Sequence, residues 1–159
     1  MPKIGYPPLR LKAPPGWSLL AGCLLFLLPG CAQRTVRVSG TVIRVAGNQM
    51  PSPDLPDPDY GGYATAVLFY RPATRQDAHR AGPAGFFDRV GTPLAARVAT
   101  DGQGRFRLRI APGRYSVFIA KDSLLYANIF DGEGFLNPVD VAPRGRTTLR
   151  LKADWDARY

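Results

Sequence analysis

Residues Thr100–Lys121 read TDGQGRFRLRIAPGRYSVFIAK, and this stretch decides the fold class. Asp101-Gly102-Gln103-Gly104 is a tight turn, with Asp to bond its own backbone and Gly to supply the open dihedral angles. After it Phe106, Leu108 and Ile110 alternate with Arg105, Arg107 and Arg109. A period of two puts the apolar set on one sheet face and the three arginines on the other. Ala111-Pro112-Gly113 turns the chain again, and Tyr115, Val117 and Ile119 form the buried side of the next strand.

Strand signals continue on both sides. Thr35–Val45 opens the domain as a strand in which Val36 and Val38 alternate with Arg37 and Ser39; Gly40 marks a bulge or a close backbone approach. Ala46–Gly62 carries Pro51, Pro53, Pro56 and Pro58 and is a loop. Tyr63–Arg71 is apolar on both faces, the pattern of a strand covered on both sides. A second long loop runs over 72–93, with a short helix expected around Thr74–Arg80. Ala95–Thr100, Leu124–Phe130, Val139–Val141 and Arg146–Lys152 supply further strands, the last with Leu149 and Leu151 inward. Seventeen glycines and sixteen prolines in 159 residues suit a turn-rich all-β domain. The expected architecture is a seven-stranded β-sandwich over 36–152, followed by a C-terminal tail, 153–159.

The run Thr100-Asp101-Gly102-Gln103-Gly104-Arg105-Phe106-Arg107-Leu108, then Pro112-Gly113-Arg114-Tyr115-Ser116-Val117, resembles the signature of carboxypeptidase regulatory-like domains. These are transthyretin-like (prealbumin-like) sandwiches, found beside metallocarboxypeptidases and in bacterial envelope proteins. The resemblance spans Val36–Leu151 and is strongest over 95–120. It implies a non-catalytic binding or scaffolding module. The two long loops depart from the family, which has short turns there.

The N-terminus carries an address. Lys3, Arg10 and Lys12 precede the apolar run Trp17–Leu28, and Leu28-Pro29-Gly30-Cys31 follows. Basic start, apolar run, small residue and cysteine are the layout of an export signal. At 12 residues the run is short for a membrane span, which takes roughly 20. The tetrapeptide resembles a lipobox, which makes 1–30 a lipoprotein signal peptide, Cys31 the lipidated residue and 31–35 the tether. Leu20-Ala21-Gly22-Cys23 fits the pattern more closely, but only about six apolar residues precede Cys23, too few for the hydrophobic region of a signal. By the same resemblance, two or three acyl chains on Cys31 imply lasting attachment. Ala32 after the cysteine favours the outer membrane of a Gram-negative bacterium.

Net charge is +9, and without the first 30 residues the chain keeps 18 basic against 12 acidic side chains, a net +6. A basic envelope protein is suited to anionic lipid, phosphorylated glycan or an acidic partner. The candidate surface is the stripe Arg105, Arg107, Arg109, extended by Arg150 and Lys152. Long arginine stems lying over apolar sheet would give the same pattern. Phe86-Phe87 is a second candidate, a docking patch or a plug closing the sandwich.

The residues argue against catalysis. His79 is the sole histidine and has no partner in sequence, whereas zinc carboxypeptidases, iron dioxygenases built on a similar sandwich and the transthyretin-like urate-pathway hydrolases all use more than one. Asp54, Asp57 and Asp59 lack cation-loop spacing, and Asp101 and Asp131 are turn residues. No cofactor, catalytic residue, metal ligand or nucleic-acid reader is expected. The expected partners are the membrane, through the lipid anchor, and an outer-membrane transporter or other envelope protein. A carbohydrate- or peptidoglycan-binding reading requires Tyr60, Tyr63 and Phe86 on one surface. A hydrolase reading requires acids converging on His79.

Overall fold

The computed structural model describes residues 34–50 and 60–158, and the strands in it follow the alternation of the sequence closely. There are ten: β1 (Val36–Asn48), β2 (Ala66–Tyr70), β3 (Ala78–Arg80), β4 (Phe86–Val90), β5 (Leu94–Ala99), β6 (Arg105–Ile110), β7 (Gly113–Lys121), β8 (Leu124–Tyr126), β9 (Pro138–Val141) and β10 (Arg146–Arg158). The signal segment, Cys23, Cys31 and the Asp54, Asp57, Asp59 loop lie outside the described residues. The described residues belong to one compact unit.

Two sheets give an all-β, sandwich-like arrangement. One has three strands in the order β10-β1-β6; the other has seven, in the order β3-β4-β8-β7-β2-β5 with β9 also on β7. β1 runs parallel to β10 and antiparallel to β6. Both turns of the deciding stretch carry the chain from one sheet to the other. The first joins β5 to β6: the Asp101 carboxylate accepts from the backbone N–H of Gln103 at 3.0 Å and of Arg105 at 2.8 Å. Gly104 there has φ +73°, and a Cβ on it would stand 2.1 Å from the Val42 carbonyl oxygen. Only glycine meets both demands. At the second corner, the Tyr115 hydroxyl donates to the Ala111 carbonyl at 2.7 Å.

Phe106 and Ile110 of β6, with Val38 and Val42 of β1, therefore face Phe69, Tyr115, Val117 and Ile119 across the space between the sheets. Phe69 meets Phe106 and Tyr115 edge-on, with ring centres 6.4 and 6.3 Å away. Burying side chains of this size contributes about 1.5–3 kcal/mol each. Gly40 makes room for the layer: a Cβ would stand 2.6 Å from Phe106 Cζ and 2.7 Å from the Leu149 carbonyl oxygen. It marks a close approach, and the irregularity of β1 lies at Arg44/Ala46 instead.

A second apolar cluster, Leu68, Ala78, Phe87, Phe118, Leu125, Ala127 and Leu136, covers the opposite face of the seven-stranded sheet. This is why β2 is apolar on both sides. The 72–93 loop supplies part of this cluster and includes two short strands: β3 stands where a helix was expected, because Ala78 and Arg80 pair with Val90 and Phe87 of β4. Phe86 and Phe87 are 4% and 2% exposed. The docking-patch expectation is thereby corrected, since Phe86 packs on Tyr126 and Trp155, and Phe87 on Phe118.

The C-terminus differs from expectation as well. β10 continues to Arg158, with Ala46, Gly47 and Asn48 pairing Asp156, Ala157 and Arg158. Trp155, in the supposed tail, stacks with Tyr63, Phe86 and Tyr126 at 5.0–5.8 Å. The Tyr126 hydroxyl and Asn128 Nδ2 donate to Asp154 Oδ1 at 2.7 and 2.8 Å. These contacts make residues 153–158 part of the domain.

Candidate anion-binding face

The outward residues of the three-stranded sheet are set by register. Arg37 of β1 stands opposite Arg146 of β10 and Arg109 of β6; Ser39 is between Thr148 and Arg107; Thr41 is between Arg150 and Arg105. Lys152 follows at the end of the β10 row. Residues opposite one another share a face, so seven cations lie on one side of three strands. All seven are exposed. Short hydroxyl side chains on the central strand and long arginines on its neighbours leave an open trough of about 800 Å³ lined by Arg37, Ser39, Thr41, Arg107, Arg109, Arg146 and Thr148.

Acid is scarce here. Arg105 Nε donates to Asp101 Oδ2 at 2.9 Å, and Arg109 Nε to Thr35 Oγ1 at 3.2 Å. Among the described residues, Arg37, Arg107, Arg146, Arg150 and Lys152 make no ion pair. Acids gather elsewhere: Arg114 of β7 alone meets Asp131 at 3.2 Å, Glu133 at 2.6 Å and Asp140 at 3.5 Å. Like charges directly opposite in a sheet oppose its pairing, where an opposite-charge pair would contribute roughly 0.2–1 kcal/mol in its favour. The Arg146–Arg37–Arg109 row has two like-charge pairs. Chemically, the face offers forked donors for bidentate bonds to phosphate or carboxylate, with hydroxyl donors between them.

Of the sequence candidates, Arg105, Arg107 and Arg109 come together with Arg150 and Lys152 on this face, whereas Phe86 and Phe87 do not. Arg37 and Arg146 complete it and had not been singled out. The alternation of β1 marks Arg37 as outward, but nothing local reveals that β10 lies parallel beside it. His79, expected to have no partner, has one: its Nδ1 stands 2.8 Å from Asp88 Oδ1 across β3 and β4. That hydrogen bond holds the Asp88 carboxyl below its usual range. Both side chains are exposed, and no group of three or more His, Cys, Asp or Glu able to hold a metal occurs among the described residues. Asp131, read as a turn residue, accepts from the backbone N–H of Glu133 and Phe135 at 3.0 and 2.9 Å.

No protein-family model, curated protein or solved structure matches the chain.

Proposed function

We propose that this chain is a non-catalytic, lipid-anchored protein of the cell envelope, a transthyretin-like sandwich with added strands that binds or scaffolds through its arginine face. Cys31 carries the lipid, and the outer membrane is the destination. The observation that carries the binding role is the row Arg146–Arg37–Arg109. Three like charges in register weaken the sheet that bears them, a feature expected where binding is maintained at some cost to stability. A partner rich in phosphate or carboxylate relieves that repulsion on contact.

A photo-crosslinking residue at Thr148, within the trough, tests the reading in native membranes against one at Asp122, in the turn between β7 and β8 of the other sheet. Capture of an anionic component or an acidic envelope protein from Thr148 and not from Asp122 is the expected result. Equal capture from both, or none from Thr148, contradicts it. The carbohydrate reading draws no support from the aromatic side chains, because Phe86 is buried and Tyr63 is packed on Trp155.

A further inference from the structure

We infer that the arginine face binds the anionic phosphate headgroups of the bilayer to which the chain is anchored, so that the domain lies with its three-stranded sheet toward the membrane. The inference deepens the proposal above and rests on it for the anchor at Cys31.

Reach is the first argument. Cys31 precedes Arg37 by six residues, and an extended chain spans at most about 3.3–3.6 Å per residue. The tether therefore keeps the first row of the face within about 20 Å of an anchored cysteine, short enough for its arginines to come within the Debye length of about 8 Å from the surface that attraction at physiological salt requires. The nearest dense polyanion to that row is the headgroup layer itself. Charge is densest at this end: Arg37, Arg109 and Arg146 form the row where β1 begins, and Arg34 precedes them in the chain.

Shape is the second. Each guanidinium can fork onto one phosphate, and Ser39, Thr41 and Thr148 place hydroxyl donors between them. An extended, exposed face of this kind suits a layer of many phosphates better than a single small anion. A soluble phosphorylated glycan or an acidic protein is the rival occupant, and neither follows from the tether length.

Co-sedimentation decides between them. Residues 32–159, which hold both apolar clusters and lack Cys31, are mixed with phosphatidylcholine vesicles made with and without phosphatidylglycerol. Binding is expected only with phosphatidylglycerol, and is lost at about 0.5 M salt as charges are screened. Each arginine at an anionic surface contributes about a fivefold gain, so Arg37→Gln with Arg146→Gln lowers vesicle affinity about 20- to 30-fold. A thermal melt of that variant at or above the wild-type temperature shows that folding is intact. Equal binding to both vesicle types, undiminished binding by the folded variant, or preference for a soluble phosphorylated glycan over the vesicles overturns the inference. Palmitate labelling of the full chain is the separate check on the anchor: label lost in Cys31→Ala supports the tether argument, and label lost only in Cys23→Ala overturns it whatever the vesicles show.

Discussion

The two sheets carry outer faces of opposite character, although both are built from strands that alternate. On the seven-stranded sheet, Leu68 of β2 pairs with Phe118 of β7, and Phe87, Leu125 and Leu136 pack in one buried cluster with them. On the three-stranded sheet the corresponding pair is Ser39 of β1 with Arg107 of β6, and the face is open. The chain thus buries one outer face in a cluster to which the 72–93 excursion gives Ala78 and Phe87 and residues 125–136 give Leu125, Ala127 and Leu136, and leaves the other charged. Covering is what apolar outward residues require; an uncovered charged face needs no such device and remains available to a partner.

Several substitutions break or sharpen that contrast. Phe118→Ala removes the ring on which Tyr70 and Phe87 pack edge-on at 5.5 and 6.0 Å. A loss of about 3–5 kcal/mol in urea unfolding is expected. A loss below 1 kcal/mol would mean that the covered face is loosely packed and the contrast is weak. On the inner side of the open sheet, Gly40→Ala forces a methyl group against Phe106 and the Leu149 carbonyl. It should cost about 1–3 kcal/mol by overpacking, measured the same way, while leaving the outward charges in place.

Asp101 gives a pH-dependent test at the rim of the open face. Hydrogen bonding from the Arg105 backbone N–H, and then from the Arg105 side chain, lowers its carboxyl below the usual 3.8. A carboxyl with a lowered folded-state value stabilises the fold above the unfolded value, and that contribution is lost as pH falls through the folded one. Asp101→Asn should therefore melt lower than the wild type at neutral pH, with the gap closing in acid. A gap that is constant down to acid pH would mean that the charge at Asp101 does not matter.

The sequence made the inward sets of 100–121 legible, because Phe106, Leu108, Ile110, Tyr115, Val117 and Ile119 recur every second residue between turn formers, but on β7 it did not show that Ser116 and Phe118 between them are buried too, under the second cluster. It did not reveal that each turn switches sheets, since a turn's residues define its bend and not the partner of the strand that follows. β3 and β4 were missed because Ala78-His79-Arg80 is short and polar, and its pairing with β4 is decided by the apolar cluster beneath. Trp155 was misread as tail although Leu149, Leu151, Ala153 and Trp155 keep the period of two; the intervening Asp154 and Asp156 resemble a solvated end. Three of the seven cations of the arginine face were readable from β6, and Arg150 and Lys152 from the alternation of the last strand. The rest depended on β1 and β10 lying parallel, a pairing across more than 100 residues that no local pattern encodes.

The central claim is that the arginines of the open face are a charged surface held against the stability of its own sheet. Arg37→Gln keeps most of the stem and removes the middle charge of the Arg146–Arg37–Arg109 row. Its thermal melt beside the wild type, at low salt and at about 1 M salt where the Debye length is about 3 Å, measures that claim. The account predicts a variant more stable than the wild type at low salt, by up to about 0.2–1 kcal/mol for each of the two like-charge pairs removed, with the difference fading at high salt. A variant less stable at both salt concentrations would show instead that Arg37 serves the fold as a covering stem, and would contradict the account.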